Sequence, residues 1–81
     1  MSVETILIID DSRHVREVLR LALESEGYGV LEAPDGREGG RLYREHRPAL
    51  VIVDIIMPEK DGIETVRTIL AIDPAAVIFT M

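Results

Sequence analysis

The chain has 81 residues, 47% of them apolar and 30% charged, with a net charge of −6 and no cysteine. That length suits one small domain burying roughly 60–65% of the surface its unfolded form exposes, and the composition is too apolar for a disordered segment. It excludes disulfides, thiol catalysis and thiolate metal sites, argues against nucleic-acid binding by the domain as a whole, and offers no stretch near the roughly 20 apolar residues of a membrane span.

Taken in order, Thr5–Ile9 (TILII) is a short apolar run of the kind that forms a strand buried on both faces, and it stops at the acidic pair Asp10-Asp11. Val15, Val18, Leu19, Ala22 and Leu23 then recur on one face of a helix expected over residues 12–26. Asp11 or Ser12 can cap its first amides, and Gly27 stands where a left-handed C-terminal cap is expected. Tyr28–Ala33 reads as a second strand, closed by the turn residues Pro34, Asp35 and Gly36. A helix over Arg37–His46 is expected to be poor, because Gly39 and Gly40 each cost about 1 kcal/mol relative to alanine in a helix interior.

The third strand, from Ala49 or Leu50 to Val53, is again continuously apolar and ends at Asp54. A loop over Met57–Gly62 follows, then an amphipathic helix carrying Ile63, Val66, Ile69, Leu70 and Ile72 that stops before Pro74. The last apolar run, Ala76–Met81, reads as a fourth strand. Alternating strands and helices with short links predict right-handed crossovers and a parallel α/β sheet, a (βα)₃β unit. Two of its strands deliver carboxylates to the carboxyl edge of the sheet, where open α/β folds bind ligands.

These residues resemble the receiver domain of bacterial response regulators. Asp10-Asp11 closes the first strand and Asp54 the third, with Met57-Pro58 and Asp61-Gly62 following; Gly27-Tyr28, Glu32-Ala33, Asp35-Gly36 and Arg47-Pro48 fall at the family's usual intervals. The resemblance covers the whole chain in order. It implies a flavodoxin-like (CheY-like) fold, strand order 2-1-3-4 for the strands present, in a two-component phosphorelay where phosphorylation alters an output surface. By this resemblance Asp54 is the phosphoacceptor, Asp11 a direct Mg²⁺ ligand, Asp10 a ligand through water, and Ile56 a ligand through its main-chain carbonyl. The family's switch hydroxyl has one candidate, Thr80, which falls early relative to the usual spacing from Asp54.

The same chemistry follows from the acids themselves. Unit charges about 4 Å apart repel by around 4 kcal/mol at an effective dielectric of 20. A divalent hard cation removes that repulsion, and an all-oxygen ligand set suits Mg²⁺. An ion-bound aspartate can then attack a donor phosphoryl group. The plainer alternative makes Asp10 and Asp11 a helix cap on a solvated surface. Arg37, Arg41, Arg44 and Arg47 read as a solvated helix face rather than a docking patch, and His14 and His46 as surface residues. A hydrolase with an aspartate nucleophile would need a second acid two residues after Asp54, where Ile56 stands.

Relative to the family pattern, residues 1–81 are expected to be a partial receiver without the fourth helix, the fifth strand and its lysine, and the fifth helix. Lys60, the only lysine, lies in the loop after Asp54 and does not replace that lysine. Ala76–Met81 is then an apolar edge, predicting a homo-oligomer or pairing with a complementary polypeptide through the last strand and uncovered sheet face. The expected partner in signalling is a histidine kinase or phosphotransfer protein, the expected location the cytoplasm, and the expected class a signalling domain rather than an enzyme. The alternative is a receiver-like scaffold or oligomerisation unit that no longer signals.

Overall fold

The computed structural model describes residues 3–56 and 61–81, Asp61 by its backbone alone. Seven elements alternate along the chain: β1 (Thr5–Ile9), α1 (Arg13–Ser25), β2 (Gly29–Ala33), α2 (Gly36–His46), β3 (Leu50–Val53), α3 (Asp61–Ile72) and β4 (Ile78–Thr80). The strands form one sheet in the order β2-β1-β3-β4, every pair parallel. This is the expected flavodoxin-like arrangement.

The continuous apolar runs have the predicted cause. In β1 successive side chains point to opposite faces, and Ile6, Leu7, Ile8 and Ile9 are all buried. Leu7 and Ile9 join Ala33, Tyr43, Val51, Val53 and Ile69 in one core beneath α2 and α3. Ile6 and Ile8 face the other way, toward α1, which packs on β1 and β2. A strand with a helix layer on each side has no solvated face, so its sequence does not alternate.

Helix α1 is capped by Ser12, whose Oγ accepts the Val15 amide at 3.2 Å. It ends at Glu26, and Gly27 follows with φ +94°, the left-handed conformation that glycine adopts without steric cost. Helix α2 departs from the sequence expectation in being well formed over 11 residues. Its glycines are packing sites: a Cβ on Gly39 would overlap the Ile9 side chain, with Cγ1 at 2.9 Å, and one on Gly36 would overlap Thr65. Close approach to β1 and α3 outweighs the propensity cost of about 1 kcal/mol per glycine. Asp35 caps this helix by accepting the Glu38 amide at 2.9 Å.

Gly62 also differs from expectation, lying in the first turn of α3 rather than in the preceding loop. A Cβ there would stand 2.5 Å from both the Asp54 carbonyl and the Ile55 Cα, so only glycine lets α3 begin this close to the end of β3. The motif residues Met57 and Pro58, and Lys60, lie outside the described residues. No described helix is long and apolar enough to cross a membrane.

Candidate functional site

The register of β1 and β3 pairs Ile9 with Val53, so the next residues, Asp10 and Asp54, leave the sheet side by side at its carboxyl edge. Backbone bonds hold both there. The Asp54 amide donates to the Ile9 carbonyl at 3.0 Å, and the Asp10 amide to the Ala33 carbonyl of β2 at 3.1 Å. Asp11 follows before the first turn of α1. One carboxylate oxygen from each of Asp10, Asp11 and Asp54 lies within 4.8 Å of the others.

The acids differ in environment. Asp10 is only 2% exposed, Asp54 is half-buried and Asp11 is exposed. Burial pushes the Asp10 carboxyl above the usual aspartate range, and the charges of Asp54 and Asp11 add to the rise. The Ser12 amide, donating to Asp10 Oδ1 at 2.8 Å, opposes it. Asp54 Oδ1 accepts the Ile56 amide at 2.9 Å, a local turn that orients the carboxylate relative to its own loop.

The donor set fits a small hard cation. It supplies oxygen and no nitrogen or sulfur, and one acid is buried, where its ionised form carries a cost that a cation would relieve. Ile56, expected to contribute its carbonyl, adjoins the cluster through its amide. Thr80 pairs with Val53 in the β3/β4 register, one step before the level of Asp54, and is exposed. Among the described residues no hydrogen bond joins Thr80 to the three acids. His14 and His46 are exposed.

The arginines of α2 and the following Arg47 lie in solvent, as expected, although Arg41 and Arg47 are engaged. Arg41 pairs with Glu38 and with Glu45 at 2.7 Å, while Arg47, just past the helix, lies over the Tyr43 ring at 5.6 Å and 3.9 Å from Asp73. Sequence reasoning missed Arg16 and the bonded role of Glu32, which meet beside the Asp10 backbone. Their signal was present in faint form: Arg16 and Arg20 are one helical turn apart and flank the apolar stripe of α1, next to the strand that carries Glu32.

Comparison with known proteins agrees with this geometry. The sequence model of the response regulator receiver domain matches residues 6–81. The chemotaxis protein CheY of Thermotoga maritima is 42% identical over 74 residues, which is 90% of this chain and 62% of that protein. The CheY4 structure of Vibrio cholerae superposes with a TM-score of 0.92 at 28% identity, covering 98% of this chain and 68% of that one. A CheX–CheY–BeF3–Mg²⁺ complex from Borrelia burgdorferi gives 0.87 at 32% identity, covering 95% and 60%. The chain spans between 26% and 62% of the length of the curated relatives it matches. With the family's pattern met from the first strand onward and its acids gathered at one sheet edge, this chain belongs to the response regulator receiver domains.

Proposed function

We propose that residues 1–81 form the phosphoacceptor-bearing part of a receiver that takes a phosphoryl group on Asp54 in a two-component phosphorelay. The donor is a histidine kinase or phosphotransfer protein, the product is a signal passed to an output, and the setting is the cytoplasm. The observation that carries this reading is the convergence of Asp10, Asp11 and Asp54 within 4.8 Å. The Mg²⁺ in the Borrelia CheY complex supports the same cation here.

Asp10, Asp11, Asp54 and the Ile56 carbonyl would hold Mg²⁺, with Asp10 acting through water. Bound there, the ion offsets charge on the nucleophile and the incoming phosphate. The Ile56 amide engages Asp54 Oδ1, and the other oxygen, Oδ2, is the nucleophile. It forms a bond to phosphorus as the donor's P–N bond breaks. The departing imidazole keeps the electron pair and takes a proton from solvent, and Asp54 becomes an aspartyl phosphate. Such a residue is consumed and regenerated as a signal, so the domain acts as a switch rather than as a turnover enzyme.

Labelling with acetyl phosphate tests the proposal, since there a P–O bond breaks and acetate leaves. Mg²⁺-dependent incorporation that Asp54→Asn abolishes is expected. Folded wild-type chain that takes no label at any Mg²⁺ concentration would instead favour the non-signalling scaffold.

A second, compatible reading rests on β4. It is an edge strand of the described sheet, and Val77, Phe79 and Met81 are exposed, Phe79 by 62%. An apolar strand edge of this kind invites pairing, so self-association or capture of a complementary polypeptide through β4 is proposed. Light scattering across a concentration series checks it, with a constant monomer mass as the contrary result.

A further inference from the structure

Arg16 lies on α1 outside the acidic cluster, yet it is one of the most enclosed charges near it, with a side chain only 13% exposed. Its guanidinium makes two directed bonds. Nη1 donates to the main-chain carbonyl of Asp10 at 2.6 Å, and Nε donates to Glu32 Oε1 at 3.3 Å. Arg20 Nε lies 3.4 Å from the other Glu32 oxygen but lacks hydrogen-bond alignment, so its contribution is charge alone. One planar group therefore ties the end of β1 to α1 and β2.

The atom it holds matters. The Asp10 carbonyl belongs to the peptide that joins Asp10 to Asp11, and a planar peptide held at its oxygen fixes the backbone torsions on both sides. Those torsions aim two of the three carboxylates. The Asp10 amide and Oδ1 are engaged elsewhere, with Ala33 and Ser12. Asp10 lies just past the last residue of β1, so the carbonyl is beyond the strand's assigned pairing. A guanidinium suits the task because it stays charged and presents several donors in a fixed plane, which a lysine cannot reproduce.

We infer that Arg16 is a positioning residue for the acidic cluster, pinning the Asp10–Asp11 peptide against β2 through Glu32 so that the carboxylates meet a divalent cation in register. The inference rests on the proposed cation-binding reading. Residues that orient ligands from behind typically govern metal affinity by about 10-fold or more.

The test compares the wild-type chain with Arg16→Met, Arg16→Lys and Glu32→Gln, using three readouts: Mg²⁺ affinity by calorimetry, the urea midpoint, and the Asp11 amide resonance in metal-free protein. Arg16→Met is expected to shift the Asp11 amide and weaken Mg²⁺ binding about 10-fold, with Arg16→Lys recovering part of the loss and Glu32→Gln falling between. If Arg16→Met does not fold, Arg16→Lys and Glu32→Gln decide by the same readouts. A lowered urea midpoint with unchanged affinity and unchanged Asp11 amide would make Arg16 a purely structural link and overturn the inference. Failure of the wild-type chain to bind Mg²⁺ would overturn the cation-binding reading itself, whereas equal binding by wild type and variants overturns only the role of Arg16.

Discussion

The side chain of Ile9 occupies the space that a Cβ on Gly39 would take. This contact seats α2 against the carboxyl end of β1, at the residue that leads into Asp10. Gly39→Ala is therefore expected to destabilise the fold by about 1–3 kcal/mol through overpacking, despite alanine's better helix propensity. Ile9→Val removes the methyl nearest to the new Cβ and costs roughly 0.5–1.5 kcal/mol alone. Combined, the two substitutions should cost less than their sum, a coupling measurable by urea unfolding of the four proteins.

The metal-free site should be a stability defect. Carboxylates about 5 Å apart repel by around 3 kcal/mol at an effective dielectric of 20, and solvent at Asp11 and Asp54 reduces that to about 1 kcal/mol at the buried partner. Asp10→Asn keeps an oxygen for the Ser12 amide and removes the charge, so it should raise metal-free stability at pH 7 by about 1 kcal/mol while abolishing Mg²⁺ binding. The pH dependence follows from the raised Asp10 pKa. Folded protein holds this proton where unfolded protein has lost it, so stability contributed by protonated Asp10 falls as pH rises from the unfolded value of about 3.9 through the raised folded value. Mg²⁺ should reverse the order of wild type and Asp10→Asn at pH 7, as thermal melts would show.

A different acid governs the low-pH limb. Tyr43 Oη donates to Asp73 Oδ2 at 2.9 Å, joining the C-terminal ends of α2 and α3. The Ala75 amide, then this hydroxyl, hold the Asp73 carboxyl below its usual range. That contribution is present above the unfolded pKa and is lost as pH falls through the depressed folded one. Tyr43→Phe should cost about 1 kcal/mol at pH 7, and its deficit relative to wild type should shrink below pH 4. An undiminished deficit at pH 2 would assign the loss to packing instead.

Much of this was legible in the residues. Uninterrupted apolar runs ending in Asp10 and Asp54 marked central parallel strands and located the site, because burial on both faces suppresses alternation and a rim position tolerates charge. The state of α2 was not legible. Gly39 looks like a helix breaker until its distance to Ile9 is known, and Gly36 closes against Thr65 of α3. Arg16 was equally hidden, since its main-chain partner has no sequence signature. Arg47 takes the left-handed conformation at φ 46° while touching Tyr43 and Asp73, an uncommon place for a long side chain.

The glycines of α2 and α3 supply the sharpest contrast. At Gly62 the obstacle to a Cβ is backbone, the Asp54 and Ile55 carbonyls and the Ile55 Cα, all at 2.5–2.6 Å, and no side chain can rotate aside. Gly62→Ala must displace either the start of α3 or the segment that carries Asp54, and it should cost about 3 kcal/mol while weakening Mg²⁺ binding. At Gly40 the nearest atom is Thr68 Cγ2 at 3.4 Å, an ordinary contact. Gly40→Ala should therefore recover helix propensity and stabilise the chain by up to about 1 kcal/mol with no change in Mg²⁺ affinity. Urea unfolding and Mg²⁺ calorimetry on the two variants check both halves, and equal effects at the two positions would refute the claim that close packing, rather than glycine's flexibility, explains Gly62.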